Sequence, residues 1–348
     1  MHPFGGEACK EPGGLIVLAA SRDKPHARRI HDWPVIEAQS VPGYGAVFNA
    51  GLWHHGGLYH LFARGIRDVY TRNVGSGPRF LDYLSDVLVF TSVDGRSYQF
   101  GYVLCRAGEL GVHCFEDPRV QRVQSGDEEF IIMTYTNLPP YESGKPWRIG
   151  AHRLNWDGKR FSLEESTGQL LGPPGIANKD AIVFTLADGR VALIHRIQPD
   201  MQLAVFDDLD QLWNAGPDYW DDYLANLDAH TIIRPSRGAL GIGAGAPPIE
   251  TEAGFLLFFH ERRSDGAYTV NLALLDRTTG RLRSRLPHPL LVPELEWERR
   301  GDVDNVVFVQ GAHSDGDVVY LTYGAADRCI GVATAKISNL LDALHAAA

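Results

Sequence analysis

Short apolar runs separated by polar turns recur at a regular interval along most of this 348-residue chain. Each copy opens on polar residues and continues through two apolar runs joined by a Gly- or Asp-containing turn, and the clearest copies add a third run that ends near Asp. Apolar runs of this length around Asp-Gly and Gly-Gly dipeptides are typical of strands paired in hairpins. Successive openings lie about 60 to 70 residues apart, at Asn49, Asp117, Asp180, Ala246 and Asp304.

This recurrence predicts an all-β fold, namely a five-bladed β-propeller in which each copy forms one radial sheet of about four strands. A long β-sandwich is the competing fold, but it does not account for a regular repeat. A helical apolar period begins only at residues 337–344, where we expect a short C-terminal helix. Residues 31–348 are assigned to a single propeller domain. Residues 1–30 are an N-terminal extension, or a strand that attaches to the propeller, with 14–20 as its apolar run.

Composition indicates a globular, turn-rich protein, since hydrophobic residues make up 44% of a chain with 37 glycines and 20 prolines. The formal net charge of −10 argues against nucleic acid or an anionic membrane as a partner, because either requires a basic surface. No stretch reaches the length of a membrane span, and residues 1–10 lack a secretory pattern, so we expect a cytoplasmic protein. Without a CxxC pair, reduced buried thiols are expected at Cys9, Cys105, Cys114 and Cys329.

A propeller brings the polar openings together, because the innermost strand of each blade begins near the central axis. The stretch 114–120 carries two acids and an arginine, and its Pro118 disfavours helical geometry at Asp117. Charge in a strand that is packed between blades is costly unless it is paired or functional. The residues expected to line one central pocket are Asn49, Asp117, Arg119, Lys179, Asp180, Asp304 and Asn305.

The order of several charged and glycine-containing segments resembles that of a known enzyme family. These segments are residues 116–119, 178–181, 195–196, 243–249, 304–308, 323–327 and 330–335. Over about residues 48 to 335, the chain resembles the mannoside phosphorylases and mannosidases of glycoside hydrolase family 130. The resemblance implies a five-bladed propeller, in agreement with the repeat, and an enzyme that cleaves β-linked manno-oligosaccharides with inversion.

By this resemblance Asp117 is the general acid, which protonates the glycosidic oxygen through a sugar hydroxyl. A phosphorylase needs no catalytic base, because its co-substrate, inorganic phosphate, is already an anionic nucleophile. It needs cations to hold phosphate, and arginine suits this best. The candidates for phosphate binding are Arg64, Arg119, Arg148, Lys179, His195, Arg196, His260 and Tyr268. The candidates for sugar binding are Asn49, Asp180, Asp304 and Asn305, and the expected product is α-mannose 1-phosphate.

The chain departs from the phosphorylase pattern at two positions. Phosphorylases of the family carry a glycine after the histidine that matches His260 and an arginine after the tyrosine that matches Tyr268, whereas this chain has Glu261 and Thr269. A lost cation and a gained carboxylate favour an inverting β-mannosidase as the alternative, because a hydrolase needs a base to activate water. The candidate bases are Glu261, Glu298 and Glu250, although Glu261 could instead pair with Arg262 or Arg263.

The remaining signals refine this picture. Residues 53–55 and His60 lack a further ligand at clear spacing, so we expect no metal and no cofactor besides phosphate as co-substrate. Trp297 is expected at the pocket rim, and the loops 70–84 and 218–238 are expected to contact the reducing-side sugar. The expected partner is thus a small oligosaccharide, and a homo-oligomer is compatible with the sequence. A sugar-binding propeller without catalysis is the alternative from another class, against which the acid Asp117 speaks.

Overall fold

The computed structural model describes residues 27–72 and 80–348. Within them, five antiparallel sheets of four or five strands are arranged as the blades of a propeller, followed by a C-terminal helix. The predicted all-β, five-bladed architecture is therefore confirmed. The apolar run 14–20 and Cys9 lie outside the described residues. No helix in the described ranges is long and apolar enough to cross a membrane.

The blades follow one another along the chain, and each begins with its innermost strand. A short strand, β1 (Arg28–Arg29), precedes them. The first blade contains β2 (Tyr44–His55) and β3 (Leu58–Arg67), then a small hairpin of β4 (Thr71–Arg72) and β5 (Phe80–Leu81), then β6 (Ser85–Ser92) and β7 (Gln99–Cys105). The second contains β8 (Cys114–Ser125), β9 (Glu128–Leu138), β10 (Arg148–Trp156), β11 (Phe161–Leu163) and β12 (Gln169–Leu171).

The third blade carries a helical insertion between its last two strands. The third contains β13 (Lys179–Thr185), β14 (Val191–Arg196) and β15 (Met201–Phe206), then α1 (Leu209–Trp213), α2 (Pro217–Ala225) and α3 (Leu227–His230), then β16 (Thr231–Ile233). The fourth contains β17 (Gly241–Ala244), β18 (Ile249–Thr251), β19 (Gly254–Arg262), β20 (Tyr268–Leu275) and β21 (Leu282–Arg285), followed by α4 (Glu296–Arg299). Short 3₁₀ turns lie at Glu109–Gly111, Tyr141–Ser143 and Glu165–Thr167.

The fifth blade joins the two ends of the described chain. It contains β22 (Val307–Asp315), β23 (Val318–Ala325) and β24 (Cys329–Lys336), and α5 (Ile337–Ala346) follows. Strand β1 pairs with β24 as its outermost strand, in the register Arg28↔Thr334. The Arg29 guanidinium strengthens this closure, because its Nε donates to Glu298 Oε1 over 2.7 Å. Helix α5 places Leu340 and Leu344 against the apolar interior, which suits their i, i+4 spacing.

The apolar core is divided among the blade interfaces. A separate cluster of buried side chains lies between each pair of neighbouring sheets, such as Phe258, Val309 and Leu321 between the fourth and fifth blades. The three described cysteines are buried and free, as expected, and burial raises the pKa of Cys105. Burial of apolar side chains on both faces of each sheet holds the inner strands rigidly around the axis.

Three inner strands contain a β-bulge at the polar residue of the repeat. Asn49, Asp117 and Asp180 have φ values of 47°, 50° and 56°, and the register of β2, β8 and β13 shifts at these points. Asn and Asp tolerate this left-handed region better than other non-glycine residues. A bulge re-aims the side chain next to it. The repeat therefore directs one amide and two carboxylates toward the axis.

Candidate active site

A cavity of about 1040 Å³ lies at the convergence of the five inner strands, at the upper limit of the size range of sites for small molecules. Every blade contributes to its lining, for example through Asn49, Asp117, Lys179, Gly241 and Phe308. Among the residues expected at the pocket, Asn49, Asp117 and Lys179 thus lie on its surface.

Asp117 is a buried acid of the cavity, with a relative exposure of 4%. Its Oδ1 accepts hydrogen bonds from Asn49 Nδ2 at 2.8 Å and Arg64 Nη1 at 3.3 Å, and its backbone carbonyl accepts one from Gln310 Nε2 at 2.7 Å. Burial alone raises the pKa of Asp117, but the positive charges of Arg64 and Lys179 outweigh burial. The Asn49 hydrogen bond acts in the same direction, so the pKa lies below its ordinary value and the free cavity holds a carboxylate.

Glu116 also lines the cavity, although it directly precedes Asp117. The bulge between Glu116 and Arg119 interrupts the alternation of β8 and allows both acids to face the axis. The Glu116 carboxylate accepts hydrogen bonds from Arg64 and from the Tyr83 hydroxyl. Neither Glu116 nor Tyr83 was assigned an individual role from the sequence, and the position of Glu116 beside Asp117 is the signal that could have indicated one.

Arg119 lies beneath the cavity and does not line it. It is 1% exposed, and it donates to the carbonyl oxygens of Gly245 at 2.6 Å and Ala244 at 2.7 Å. It also donates to Asp180 Oδ1 at 3.3 Å. Burial lowers the pKa of Arg119, although Asp180 and Asp117 oppose this effect. Its position corrects the expectation of a pocket-lining cation, because Arg119 instead ties the second blade to the third and fourth.

Asp180 is buried next to Arg119 and connects two cavity side chains from below. Its Oδ2 lies 3.3 Å from Arg196 Nε and 3.7 Å from His260 Nε2. Gly243 is required here, because a Cβ on it would lie 2.2 Å from the same oxygen. Burial raises the pKa of Asp180, but the surrounding positive charges, Arg196 foremost, hold it well below its ordinary value. Asp180 therefore orients Arg196 and His260 instead of lining the cavity itself.

Five of the eight candidates for phosphate binding line the cavity, namely Arg64, Lys179, Arg196, His260 and Tyr268. Lys179 Nζ lies 6.0 Å from the ring centroid of Trp147, and the His260 ring lies 6.1 Å from Tyr268 and 4.2 Å from Phe308. Burial lowers the pKa of His260 to about 3, so its imidazole is neutral at physiological pH. The wall therefore contains cations together with neutral hydrogen-bonding groups.

Arg148 and His195, by contrast, lie outside the lining. Arg148 Nη2 donates to the Gly172 carbonyl over 3.0 Å, and burial lowers the pKa of Arg148. His195 is enclosed, 2.9 Å from the Tyr223 hydroxyl, and burial lowers its pKa to about 3. Both residues have structural partners elsewhere, at the end of the second blade for Arg148 and in the third blade for His195, and neither lines the cavity.

Asp304 and Asn305 are also displaced from their expected place in the central pocket. Both are exposed, and Asp304 Oδ1 accepts a hydrogen bond from Gly301 N at 3.3 Å. Asn305 lines a separate pocket of about 320 Å³. The inner strand of the fifth blade starts only at Val307, after both residues, so their side chains are not carried toward the axis.

Glu261, the first candidate base, faces away from the cavity. Its carboxylate accepts hydrogen bonds from Ser236 N at 2.8 Å and Ser236 Oγ at 2.9 Å, and it pairs with Arg285 at 3.2 Å. Thr269, on the adjacent strand β20, lies directly opposite Glu261 in the sheet. Glu261 therefore has a structural environment, although its partner is Arg285 and not the adjacent arginines.

The other two candidate bases are likewise remote. Glu298 is fully buried, where it pairs with Arg29 and accepts a hydrogen bond from the Tyr323 hydroxyl at 2.9 Å. Glu250 is exposed and pairs with Arg277 at 2.5 Å. Neither glutamate lines the cavity, which corrects the expectation that they could activate water there.

Only one of the two loops expected to contact the reducing-side sugar lines the cavity. Loop 70–84 contributes Phe80, Asp82, Tyr83 and Leu84 to the lining, whereas 218–238 contributes none. The β9–β10 loop takes its place with residues such as Tyr141, which is 71% exposed, and Trp147. Trp297 is not at the rim, since its Nε1 donates to the Asp32 carbonyl over 2.9 Å. Within the described residues, no cluster of His, Cys, Asp or Glu could hold a metal ion.

The fold and the cavity define a β-propeller enzyme that places two adjacent buried acids beside a row of cations. The chain belongs to glycoside hydrolase family 130, whose model, described as β-1,4-mannooligosaccharide phosphorylase, matches residues 21–346. The resemblance stated from the sequence is thereby confirmed. The protein is a β-mannoside phosphorylase or a closely related glycoside hydrolase.

Two relatives from Thermoanaerobacter sp. (strain X514) cover most of the chain. A 1,2-β-oligomannan phosphorylase is 27% identical over 326 residues, which are 90% of this chain and 98% of the relative. A β-1,2-mannobiose phosphorylase is 31% identical over 299 residues, which are 83% and 89% of the two chains. The structure of β-1,2-mannobiose phosphorylase from Listeria innocua in complex with β-1,2-mannobiose has a TM-score of 0.72 at 21% identity, over 92% of this chain and 99% of that chain. This structure shows the same fold.

Proposed function

We propose that the protein cleaves β-mannosidic linkages by inverting phosphorolysis and releases α-mannose 1-phosphate. The observation that carries this proposal is the position of Glu261 and Thr269, the two departures from the phosphorylase pattern. They pair with each other across β19 and β20, and neither lines the cavity. His260 and Tyr268, the residues that precede them, do line it. The departures therefore leave the cationic wall intact and supply no base.

In the proposed reaction, a phosphate oxygen attacks the anomeric carbon from the face opposite the glycosidic bond. The bond from that carbon to the glycosidic oxygen breaks, and a proton passes from Asp117, through a sugar hydroxyl, to the leaving oxygen. The products are α-mannose 1-phosphate and the shortened sugar, and Asp117 regains a proton from solvent or from the phosphate. Lys179 and Arg196 hold the nucleophile by charge-assisted hydrogen bonds.

Bound phosphate also favours the protonated form of Asp117, which the mechanism requires. In the free cavity, Arg64 and Lys179 keep the pKa of Asp117 low in spite of its burial, whereas an acid catalyst must carry a proton. A phosphate anion on the cationic wall offsets part of this positive charge and raises the pKa of Asp117. We therefore propose inorganic phosphate as the co-substrate that both attacks and favours the protonated acid.

We propose β-1,2-linked manno-oligosaccharides as the substrate class. Both relatives that cover most of the chain are named for β-1,2-linked substrates. The cavity of about 1040 Å³ has room for several sugar rings, and Tyr141 and Trp147 offer exposed aromatic faces at its edge. Aromatic rings of this kind can stack on sugars of the reducing side.

The test is product analysis on β-1,2- and β-1,4-mannobiose, with and without inorganic phosphate. We expect mannose 1-phosphate in the α configuration by phosphorus and proton NMR, only when phosphate is present, and faster turnover of the β-1,2 isomer. Free mannose formed at the same rate without phosphate would overturn phosphorolysis. Preference for β-1,4-mannobiose would overturn the linkage and leave the reaction type standing.

A further inference from the structure

Arg262 lines the central cavity, although neither the repeat nor the family resemblance gave it a role in binding. It ends β19, two residues after His260, so both side chains face the same side of the strand. Across the sheet it pairs with Tyr268, and its guanidinium carbon lies 5.8 Å from the centroid of that ring. The His260 ring lies 6.1 Å from the same centroid. His260, Tyr268 and Arg262 therefore form one continuous wall.

The other cavity arginines already have carboxylate partners. Arg64 pairs with Glu116 and Asp117, and Arg196 pairs with Asp180. Much of their charge is therefore balanced before any ligand arrives.

Arg262 differs from them. Within residues 27–72 and 80–348, its side chain forms no ion pair. Its buried Nε has no hydrogen-bond acceptor, as is also true of the Nε atoms of Arg64 and Arg196. A buried donor without an acceptor carries a desolvation cost, which a ligand oxygen can remove. Lys179, which is half-buried in the lining, likewise forms no ion pair among these residues. The two side chains supply the charge that an anion can use.

We propose that Arg262 is an anion-binding residue of the active site, which holds the phosphoryl oxygens of inorganic phosphate and of the sugar 1-phosphate product. This inference rests on the proposed phosphorolysis and adds a residue to it. The planar fork of a guanidinium matches phosphate oxygens, and the Tyr268 ring beneath it limits its motion. Because Arg262 binds the group common to both phosphorylated ligands, it acts in both directions of the reaction.

The test compares Arg262→Gln with Arg263→Gln. Arg263 is the matched control, because it is the next residue on the opposite face, is exposed, and pairs with Asp265 at 3.3 Å. In Arg262→Gln, the KM for phosphate in cleavage and the KM for mannose 1-phosphate in synthesis should each rise about tenfold or more. The KM for the manno-oligosaccharide should stay unchanged. Arg262→Lys should recover part of the loss, and Arg263→Gln should match the parent.

A second measurement does not depend on turnover. Phosphate should raise the Tm of the free parent protein and of Arg263→Gln, and this rise should be smaller in Arg262→Gln. An unchanged phosphate KM and Tm shift in Arg262→Gln would overturn the inference, as would a rise confined to the KM of the sugar. If the parent enzyme turns over without phosphate, the proposed phosphorolysis fails. The Tm shift then still decides whether Arg262 binds phosphate.

Discussion

Asn49 and Asp117 join the first and second blades through a hydrogen bond of 2.8 Å, and both occupy left-handed positions at bulges of their inner strands. The amide donates to the carboxylate and so favours its charged form. A Cβ on Gly324 would lie 1.9 Å from Asn49 Oδ1, so a glycine of the fifth blade is needed for this pair to form. The acidity of the proposed catalytic group is thus set by three blades together.

Asn49→Gly should therefore move the alkaline limb of the pH–activity profile to higher pH. Glycine accepts the φ of 47° without strain, while the hydrogen bond that favours the Asp117 carboxylate is lost, so the pKa of Asp117 rises. Asn49→Asp should move the limb further, because a second carboxylate opposes ionisation. The measurement is kcat/KM against pH at saturating phosphate. An unmoved limb in both variants would show that another group controls it.

Asp117→Asn should reduce kcat on β-mannobiose by about 10² to 10⁴, the usual contribution of general acid catalysis. Sugar and phosphate binding should persist, because asparagine retains the shape of the side chain. On 2,4-dinitrophenyl β-mannoside the loss should be much smaller, since this leaving group departs without a proton. Calorimetric titration checks the binding. Equal losses on both substrates would contradict the assignment of Asp117 as the acid.

Asp180→Asn should destabilise the fold by about 3 to 5 kcal/mol, because it removes the carboxylate from a buried cluster of cations. Asp180 and Arg119 are each 1% exposed, so solvent cannot replace the lost charge. Denaturation in urea measures the effect. Asp188→Asn, which breaks the surface pair with Arg190, is the control and should change stability little.

Asp180→Asn should also change how the stability of the protein depends on pH in acid. The pKa of Asp180 is depressed in the folded state, so its contribution is complete above the unfolded value near 3.8 and is lost as the pH falls below it. The parent should therefore lose stability more steeply below pH 3.8 than Asp180→Asn does. Parallel stability curves for the two proteins would show that the carboxylate is not held by the cations in solution.

Glu261→Gln should leave phosphate-dependent turnover unchanged. The Glu261 carboxylate is engaged by Ser236 and Arg285 and does not line the cavity. Its loss should lower Tm through these contacts, whereas Glu250→Gln at the surface should alter neither activity nor Tm. Initial rates with and without phosphate provide the measurement. A large fall in kcat for Glu261→Gln, with formation of free mannose by the parent, would instead favour the mannosidase alternative.

The fold could be predicted because its repeat consists of local patterns of polar and apolar residues. The first four blades are contiguous segments, and polar residues such as Asn49, Asp117 and Asp180 stand out at the start of apolar strands. The fifth blade is the exception. Its bulge falls at Gln310, whose Nε2 binds the Asp117 carbonyl, and not at Asp304, where the polar pattern pointed.

Some of the side chains that were misplaced have partners far away in the sequence. Arg29 and Glu298 are 269 residues apart, and Glu261 meets Arg285 across 24 residues. Whether a glutamate faces a cavity or an arginine depends on strand register and on neighbouring blades. A single sequence carries no direct record of such contacts.

The pairing of β1 with β24 also has a consequence during synthesis of the chain. Arg28 and Thr334 meet only after about 300 residues have been made between them, which at about 5 to 20 residues per second takes roughly 15 to 60 s. Until then the apolar cluster that contains Ile36 and Ile330 lacks the residues that the fifth blade contributes. The nascent chain therefore passes through a stage with an open ring and an exposed apolar edge. The exposed apolar edge makes this stage the one at which a chaperone would bind the chain most strongly.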